Sequence, residues 1–480
     1  MNGNEELKAM LDIAIALSSE RDFNKLFNII IARSMEITGC DAGTLYLVND
    51  GKLEFKIMKT LSLGIDRGSD GAKIELPPVE MSRGNICAYA AISRETLNIP
   101  DVMQNDVFDF SGPKRYDSLT GYHTVSMLVV PLIDSDNTVV GVLQLINCLD
   151  GAGNVVSFAE SMEKTVYALA SLTAIAVSNM RYREELKEQL WSFTQAMATA
   201  IDERTPYNAS HTRKVAEYCG MIADHINKLN AAGECDDRFD ENRREQLVMA
   251  AWLHDIGKMT VPLEVMNKET RLNGRENVIK ARLEIFKLRA ELMTERGEKN
   301  KVWLDSVIAQ IDAANRTVDK VNGSGFIDDA TLTSLKAVLG YEFMGEPFFT
   351  EGEKEALSIR KGTLTDGERK IMENHVVTTG KILDKVHFNK AFENTPVWAA
   401  RHHECLNGEG YPAGLKGDEL GLDERILAVS DICDALLATD RPYKKPIPLD
   451  KAFEIMRDMA SEGRIDGKVV GYLYDCLREQ

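Results

Sequence analysis

The sequence predicts a multi-domain protein: an N-terminal α+β domain built on an antiparallel sheet with flanking helices, a long connecting helix, and a C-terminal all-α domain. Three observations lead there. Residues 1–165 alternate helical and strand patterns separated by turn signals. Residues 158–204 contain neither Pro nor Gly. From about residue 200 onward, helical periodicity dominates and strand patterns nearly vanish. A chain of 480 residues also exceeds one ordinary hydrophobic core, so several units are expected.

Taken in order, "NEELKAMLDIAIALSS" and "DFNKLFNIIIARSMEITG" place apolar residues at helical spacing. "AGTLYLVNDGKLEFKIMKT" reads as two strands around Asn49-Asp50-Gly51, a strong hairpin signal. A second pair follows, "TVSMLVVPLI" and "TVVGVLQLIN", joined by "DSDN". Within the glycine-free run, Leu172, Ala176, Asn179, Arg183, Leu186, Leu190, Phe193 and Met197 alternate in steps of four and three. A helix packed on its own domain would show this period, as would a parallel dimer helix. The length of the seam favours the dimer, and residues 166–200 are expected to be a linker and dimerisation helix. The C-terminal domain is expected over 201–480. Inside it, residues 269–360 stand apart as a charged helical hairpin turning near Gly297, more an inserted arm than core. Thr350 and Thr365 head two helices as N-caps.

Composition narrows the function. A net charge of −18 argues against a nucleic acid polymer as partner. A small anionic substrate stays possible if metal ions or a few placed cations supply local positive charge. No apolar run approaches a membrane span, and the acidic N-terminus does not read as a secretory signal. The eight cysteines are scattered without a CxxC pair, which points to free thiols in a reducing cytoplasm.

The chain has only eight histidines. Single ones at 123, 225 and 387 are expected to be ordinary surface or core residues. The other five have company. "NASHTRKVAEYC" puts His211 at a helix start. "LVMAAWLHDIGKMTVP" puts His254 and Asp255 at a helix end, where Gly257 reads as a stop and Pro262 prevents continuation. "KIMENHVVTTGKIL" puts His375 in a helix, and "VWAARHHECLNGEGYP" puts His402 and His403 at a helix end. "ILAVSDICDALLATDRPYKKP" adds Asp431 and Asp434, then a basic cluster. Imidazoles and carboxylates without thiolates suit borderline divalent metals. Five histidines with two or three aspartates exceed the needs of one ion, so two ions sharing Asp255 are expected. Such a pair activates a bridging water and clamps a phosphate oxygen. Lys258 is placed to hold a phosphate oxygen or stabilise the leaving oxygen. Arg441, Lys444 and Lys445 are candidates for a second phosphate, and Tyr443 for a base. Glu404 is expected to orient an imidazole, and the glycines around it to let the turn close beside a phosphate.

With these motifs in view, the C-terminal half resembles the HD-GYP domains, a subgroup of the HD metal-dependent phosphohydrolases. The resemblance covers about 195–268 and 361–480 and runs through "SHTRKVA", "HDIGK", "KIMENHVVTTG", "HHECLNGEGYP" and "SDICDALLATDRPYKK". It implies an all-α bundle and hydrolysis of cyclic di-GMP to linear pGpG, in some members on to GMP. It also implies two divalent metals, iron or manganese, with zinc also admitted by the ligand types. Carried over by position, His211, His254, Asp255 and Asp431 would hold one metal, and Asp255, His375, His402 and His403 the other. Lys258 would be the catalytic lysine, with Arg441 and Lys444 on substrate phosphate. Gly410, Tyr411 and Pro412 would form the namesake turn, implicated in docking diguanylate cyclase domains. Where some members carry a Glu for a third metal, this chain has Tyr207, which favours two. Asn407 stands where Asp is usual. Residues 1–165 resemble a GAF domain through "ETLNIPDVMQND", "TGYHTVSMLVVPLI" and "GVLQLINCLDG", which implies a regulatory small-molecule ligand or a dimerisation role. The reading is thus a cyclic di-GMP phosphodiesterase, a homodimer regulated by its GAF domain. The alternatives are a cyclic GMP-AMP phosphodiesterase and a non-catalytic nucleotide-binding or cyclase-docking scaffold.

Overall fold

A computed structural model of the chain describes residue 15, residue 20, and residues 22–105, 107–204, 210–438 and 447–478. The helix expected over 4–19 lies outside the described residues but for residue 15. The chain divides into two compact units between Gln189 and Leu190.

The first unit carries strands β1 (Cys40–Asn49), β2 (Lys52–Thr60), β3 (Ile65–Arg67), β4 (Val79–Glu80), β5 (Leu97–Ile99), β6 (Met127–Ile133), β7 (Val139–Leu149) and β8 (Val155–Val156). Its helices are α1 (Phe23–Thr38), α2 (Ile86–Ser93), α3 (Ser111–Thr120) and the start of α4 (Glu160–Asp202). The sheet runs β3-β2-β1-β7-β6-β5, with β4 on β2 and β8 on β7, every pair antiparallel. The expected hairpin forms: Asn49 faces Lys52, and Asp50 and Gly51 take φ of 46° and 72°, as the tight primed turn requires. Side chains alternate between two cores. Leu45 and Leu47 face the core shared with α1 and α4, whereas Tyr46 faces the core shared with α2. On β6, Leu128, Val130 and Leu132 go one way and Met127 and Val129 the other.

The glycine-free run is one helix, α4, of 43 residues. The expected seam is divided along it. Leu172 and Ala176 pack into the first unit's core, and Leu190 and Met197 pack on the second unit's core. Leu186 and Phe193 are each 65% exposed.

The second unit is helical: α5 (His211–Ala231), α6 (Glu241–Leu253), α7 (Leu263–Met266), α8 (Glu276–Glu295), α9 (Lys301–Asn322), α10 (Asp329–Leu339), α11 (Glu351–Leu357), α12 (Asp366–Leu383), α13 (Thr395–Ala399), α14 (Leu422–Leu437), α15 (Leu449–Ser461) and α16 (Gly467–Arg478). Strands β9 (Glu342–Phe343) and β10 (Glu346–Pro347) form a small hairpin. The main core joins α5, α6, α14, α15 and α16 through Val215, Ile222, Leu247, Leu427, Phe453 and Leu473. Thr350 and Thr365 cap α11 and α12 in full capping boxes with Glu353 and Glu368.

Residues 269–360 are more than the expected arm. Helices α8 to α11 and the β9–β10 hairpin enclose a separate core of Leu283, Phe286, Ile311, Val318, Phe343 and Phe348. Phe286 stacks on Phe343 with ring centroids 5.1 Å apart. Charged residues are frequent on the outer faces, and their number masked the apolar spacing beneath. Arg271 is fully buried at the base and donates to the Ile359 carbonyl at 2.9 Å and to the carbonyls of Val321 and Ser324. Lys268 pairs with Glu368 at 2.6 Å, tying the base to the first turn of α12.

Candidate metal centre

Five elements deliver side chains to one buried point of the second unit. His211 opens α5, His254 caps the end of α6, His375 lies within α12, and His402 and His403 follow α13. Asp431 and Asp434 lie one turn apart on α14, and so on one face of it. Three of the rings are held the same way. The Nδ1 atoms of His254, His375 and His402 bond the carbonyls three residues earlier, of Ala251, Met372 and Ala399, at 2.6–2.7 Å. An Nδ1 that donates to a carbonyl leaves Nε2 without its proton, facing the centre. His211 is held differently: its Nδ1 meets Asp434 Oδ2 at 2.7 Å.

The ligand atoms form two groups, His211 with His254 and Asp255, and His375 with His402 and His403. Asp255 faces both. Its Oδ2 lies 3.5 Å from His211 Nε2 and 3.3 Å from His254 Nε2. Its Oδ1 lies 3.4 Å from His375 Nε2 and 3.9 Å from His402 Nε2. Asp431 Oδ1 is 3.3 Å from His211 Nε2, and its Oδ2 is 3.8 Å from His403 Nδ1. Lys258 Nζ contacts Asp255 Oδ2.

The electrostatics fit cations. His254 Nε2 and Asp255 Oδ1 are buried with no hydrogen-bond partner, an expensive arrangement unless a ligand satisfies them. Burial opposes charge on Asp255, but Lys258, His254 and His211 outweigh it and hold the carboxyl well below its usual range. Asp431 is likewise lowered, its burial outweighed by His211 and other imidazoles. Burial and neighbouring imidazoles push His402 well down, and burial brings His403 to about 4. The centre thus offers ionised carboxylates and two neutral imidazoles, the forms that bind metal. His211 is pulled up because three carboxylates outweigh its burial. A divalent cation would take the place of that charge.

Gly257 has a role the sequence reading did not give it. It sits in a short 3-10 turn, Ile256–Thr260, rather than ending a helix by left-handed geometry. A Cβ there would lie 1.9 Å from the His375 carbonyl oxygen. Only glycine lets this turn lie against α12. Thr379 fastens the contact, accepting from Gly257 N at 3.0 Å and donating to the His254 carbonyl at 2.9 Å.

Glu404 also differs from expectation. Its carboxylate accepts from the backbone N–H of Ala413 at 2.6 Å and of Leu415 at 2.9 Å. It holds the chain after Pro412 rather than orienting an imidazole, because the loop returns its own N–H groups over it. Gly410 lies against the Glu404–Cys405 backbone, where a Cβ would come within 2.2 Å of Cys405 N. The glycine therefore closes the loop on itself. The Tyr411 ring packs tilted against His403, centroids 4.9 Å apart, and the Tyr411 backbone N–H donates to the His403 carbonyl at 3.1 Å. Asn407 accepts from Glu409 N–H at 3.0 Å and stays within the loop.

Tyr207, Arg441, Tyr443, Lys444 and Lys445 lie outside the described residues. His123 and His387 are exposed, and His225 packs on Tyr472, all apart from the centre. Sequence reasoning missed the role of Asp434, although its i, i+3 spacing from Asp431 was available. It also missed Asp202 and Arg204 at the end of α4. Asp202 accepts from Thr212 Oγ1 at 2.9 Å, beside His211. Arg204 donates to the carbonyls of Lys258 at 3.1 Å, Met259, and Val261 at 3.4 Å. No short-range pattern announces either contact.

Residues 22–177 match the family model for the GAF domain, and residues 208–319 and 353–469 match two models, each described as an HD domain. The chain is similar to 3'3'-cGAMP-specific phosphodiesterase 3 of Vibrio cholerae, 39% identical over 107 residues, 22% of each chain. It is 23% identical to 3'3'-cGAMP-specific phosphodiesterase 1 of the same organism over 282 residues, 59% of this chain and 41% of that one. It is 35% identical to the cyclic di-GMP phosphodiesterase response regulator RpfG of Xanthomonas campestris over 111 residues, 23% of this chain and 28% of that one. The chain spans between 22% and 41% of the length of these relatives. No helix among the described residues is long and apolar enough to cross a membrane. The first unit thus carries a GAF domain, and the helical unit, which holds the histidine-aspartate centre, carries the HD-domain matches.

Proposed function

We propose that the chain is a metal-dependent phosphodiesterase that hydrolyses cyclic di-GMP to linear pGpG, with GMP as the end product open to it as in some members of the family it resembles. The observation that carries this reading is Asp255, whose two carboxylate oxygens face two separate groups of imidazoles. One divalent cation would be held by His211, His254, Asp255 and Asp431, and a second by Asp255, His375, His402 and His403. The donors are nitrogen and oxygen only, which suits iron or manganese and also admits zinc. Such ions supply Lewis-acid charge at phosphate and a nucleophilic water near neutral pH.

The chain's own groups do the rest. Linear pGpG keeps a 5′-phosphate, so water adds at phosphorus and the bond to a ribose 3′-oxygen breaks, that oxygen leaving with a proton. Burial pushes Lys258 down, but Asp255 and Asp431 outweigh it and keep it cationic. Its ammonium is placed to hold a non-bridging oxygen or steady the leaving one. Tyr411 and the cis Tyr411–Pro412 turn wall the side next to His403. Arg441 and Lys444 are assigned to a second phosphate and Tyr443 to a base. The Gly410-Tyr411-Pro412 turn is also the surface on which a diguanylate cyclase domain would dock.

Regulation would enter through α4. Its C-terminal end, through Asp202 and Arg204, grips both the first turn of α5 and the backbone that carries Lys258. A small molecule in the GAF domain that favours one of two states of α4 would bias this grip. Exposed Tyr167, Ile175, Tyr182, Leu186 and Phe193 follow one another along α4 and would be covered by a second copy in a homodimer. The scattered cysteines, without a CxxC pair, suit a reducing compartment, and we place the chain in the cytoplasm.

A second reading is favoured by the names of two relatives: the substrate is 3'3'-cGAMP. The deciding experiment purifies the protein anaerobically, quantifies metal, and follows turnover of both cyclic dinucleotides side by side. Release of pGpG at the higher kcat/KM supports the first reading, and faster loss of 3'3'-cGAMP the second. Full metal loading with turnover of neither leaves only the scaffold.

A further inference from the structure

Helix α8 of the 269–360 insertion carries two apolar faces. Ile279, Leu283, Phe286 and Ala290 fill the insertion's own core. On the other side, Val278, Ile285, Leu288 and Leu292 are 57%, 56%, 56% and 45% exposed. With Ala281, also exposed, they follow one another at steps of three and four residues, the a/d spacing of a helix that pairs with another. The stripe covers about 21 Å of helix axis at 1.5 Å per residue. A helix needs only one such face to hold its domain together, so the second calls for a partner.

The charges beside the stripe select that partner. On one rim stand Glu284 and Glu291, and on the other Arg289 and Arg296. Arg282, earlier on the basic rim, is taken by Glu353 at 2.7 Å within the insertion. Arg289 is held along the rim over the Phe343 ring, 5.0 Å from its centroid, and pairs with the half-exposed Glu346. When two such helices pair in parallel, the acidic rim of each meets the basic rim of the other one heptad on, Glu284 with Arg289 and Glu291 with Arg296. In an antiparallel pair, acid would meet acid and base would meet base. The surface therefore complements itself in one orientation.

We propose that α8 is a self-association surface, pairing in parallel and in register with α8 of a second copy of this chain. It is separate from the metal centre and does not depend on the activity assigned to it.

Cysteine cross-linking of the full chain tests this. Val278→Cys and Leu292→Cys replace exposed residues near opposite ends of the stripe, and Lys280→Cys is an exposed control off it. The expected result is a disulfide-linked dimer from Val278→Cys and from Leu292→Cys, each with itself, and none above the parent chain from Lys280→Cys. Reversing one rim with Glu284→Arg and Glu291→Arg should lower the cross-link yield about tenfold, by setting like charges together. Adding Arg289→Glu and Arg296→Glu should restore it. A cross-link only between mixed Val278→Cys and Leu292→Cys chains would show an antiparallel pair and overturn the proposal. So would yields no higher than the Lys280→Cys control, or cross-linking that the rim reversal leaves unchanged.

Discussion

The metal centre and the 269–360 insertion bury their side chains for opposite ends. The insertion encloses Phe286, Phe343 and Phe348 in ordinary apolar packing, and its one fully buried cation, Arg271, is spent on closing the base. The centre buries His211, His254, Asp255, His375, His402 and Asp431, with ligand atoms left unsatisfied. The apolar core around the centre and that of the insertion share no residue. A buried polar cluster with orphan atoms is a liability for stability, so its presence marks a place shaped for binding. The insertion, interrupting the chain between Lys258 and His375, can change its interior without touching the ligands.

That separation can be broken by substitution, and the largest effect should come from the shared carboxylate. Asp255→Ala removes the carboxylate that lies within 4 Å of two imidazoles in each group. Hydrolysis should fall by about 10³-fold or more, with metal content per chain reduced in the same sample. Asp434→Asn should act more gently. Asp434 touches His211 Nδ1, and losing the charge there weakens the ring's hold and basicity. Metal affinity should drop about 10- to 100-fold, measured by competition with a chelator, while thermal unfolding changes little.

The insertion should respond the other way. Phe343→Ala leaves a cavity among Phe286, Phe348 and Trp303, and should cost the insertion about 3–5 kcal/mol of local stability. Hydrogen exchange would then rise over 276–357, with metal content per chain unchanged. A parallel loss of metal would show that the Lys268–Glu368 tie to α12 transmits the damage to His375.

How far these regions can be read from sequence differs for a physical reason. The candidate ligands were legible because histidine is scarce and metal chemistry limits the residue types, so His254-Asp255 and His402-His403 stand out. The Asn49-Asp50-Gly51 hairpin and the Thr350 and Thr365 caps were legible because each acts within a few residues. The insertion's core was not, because frequent Glu, Lys and Arg, together with a second, exposed apolar stripe on α8, blur the apolar period of the buried face. Gly257 looked like a stop because a local reading cannot see the His375 carbonyl lying against it. Arg204 gave no signal, since its partners lie more than fifty residues away.

Glu404 gives the finest test of where the centre ends. Adjacent to His403, it would orient an imidazole if sequence proximity decided the matter. Its carboxylate instead receives the N–H groups of Ala413 and Leu415. In Glu404→Ala those two donors lose their acceptor, a cost of about 1–3 kcal/mol for a buried group left unpaired. The loop carrying Tyr411 should loosen, raising KM for the cyclic dinucleotide. The His402 ring, bonded through Nδ1 to the Ala399 carbonyl, and the His403 ring, packed against His375 and His402, should keep their metal. A tenfold loss of metal affinity in Glu404→Ala, of the size expected for Asp434→Asn, would move Glu404 back among the groups that hold the imidazoles. Retention of metal with a raised KM would place the boundary of the centre between His403 and Glu404, two residues adjacent in the chain.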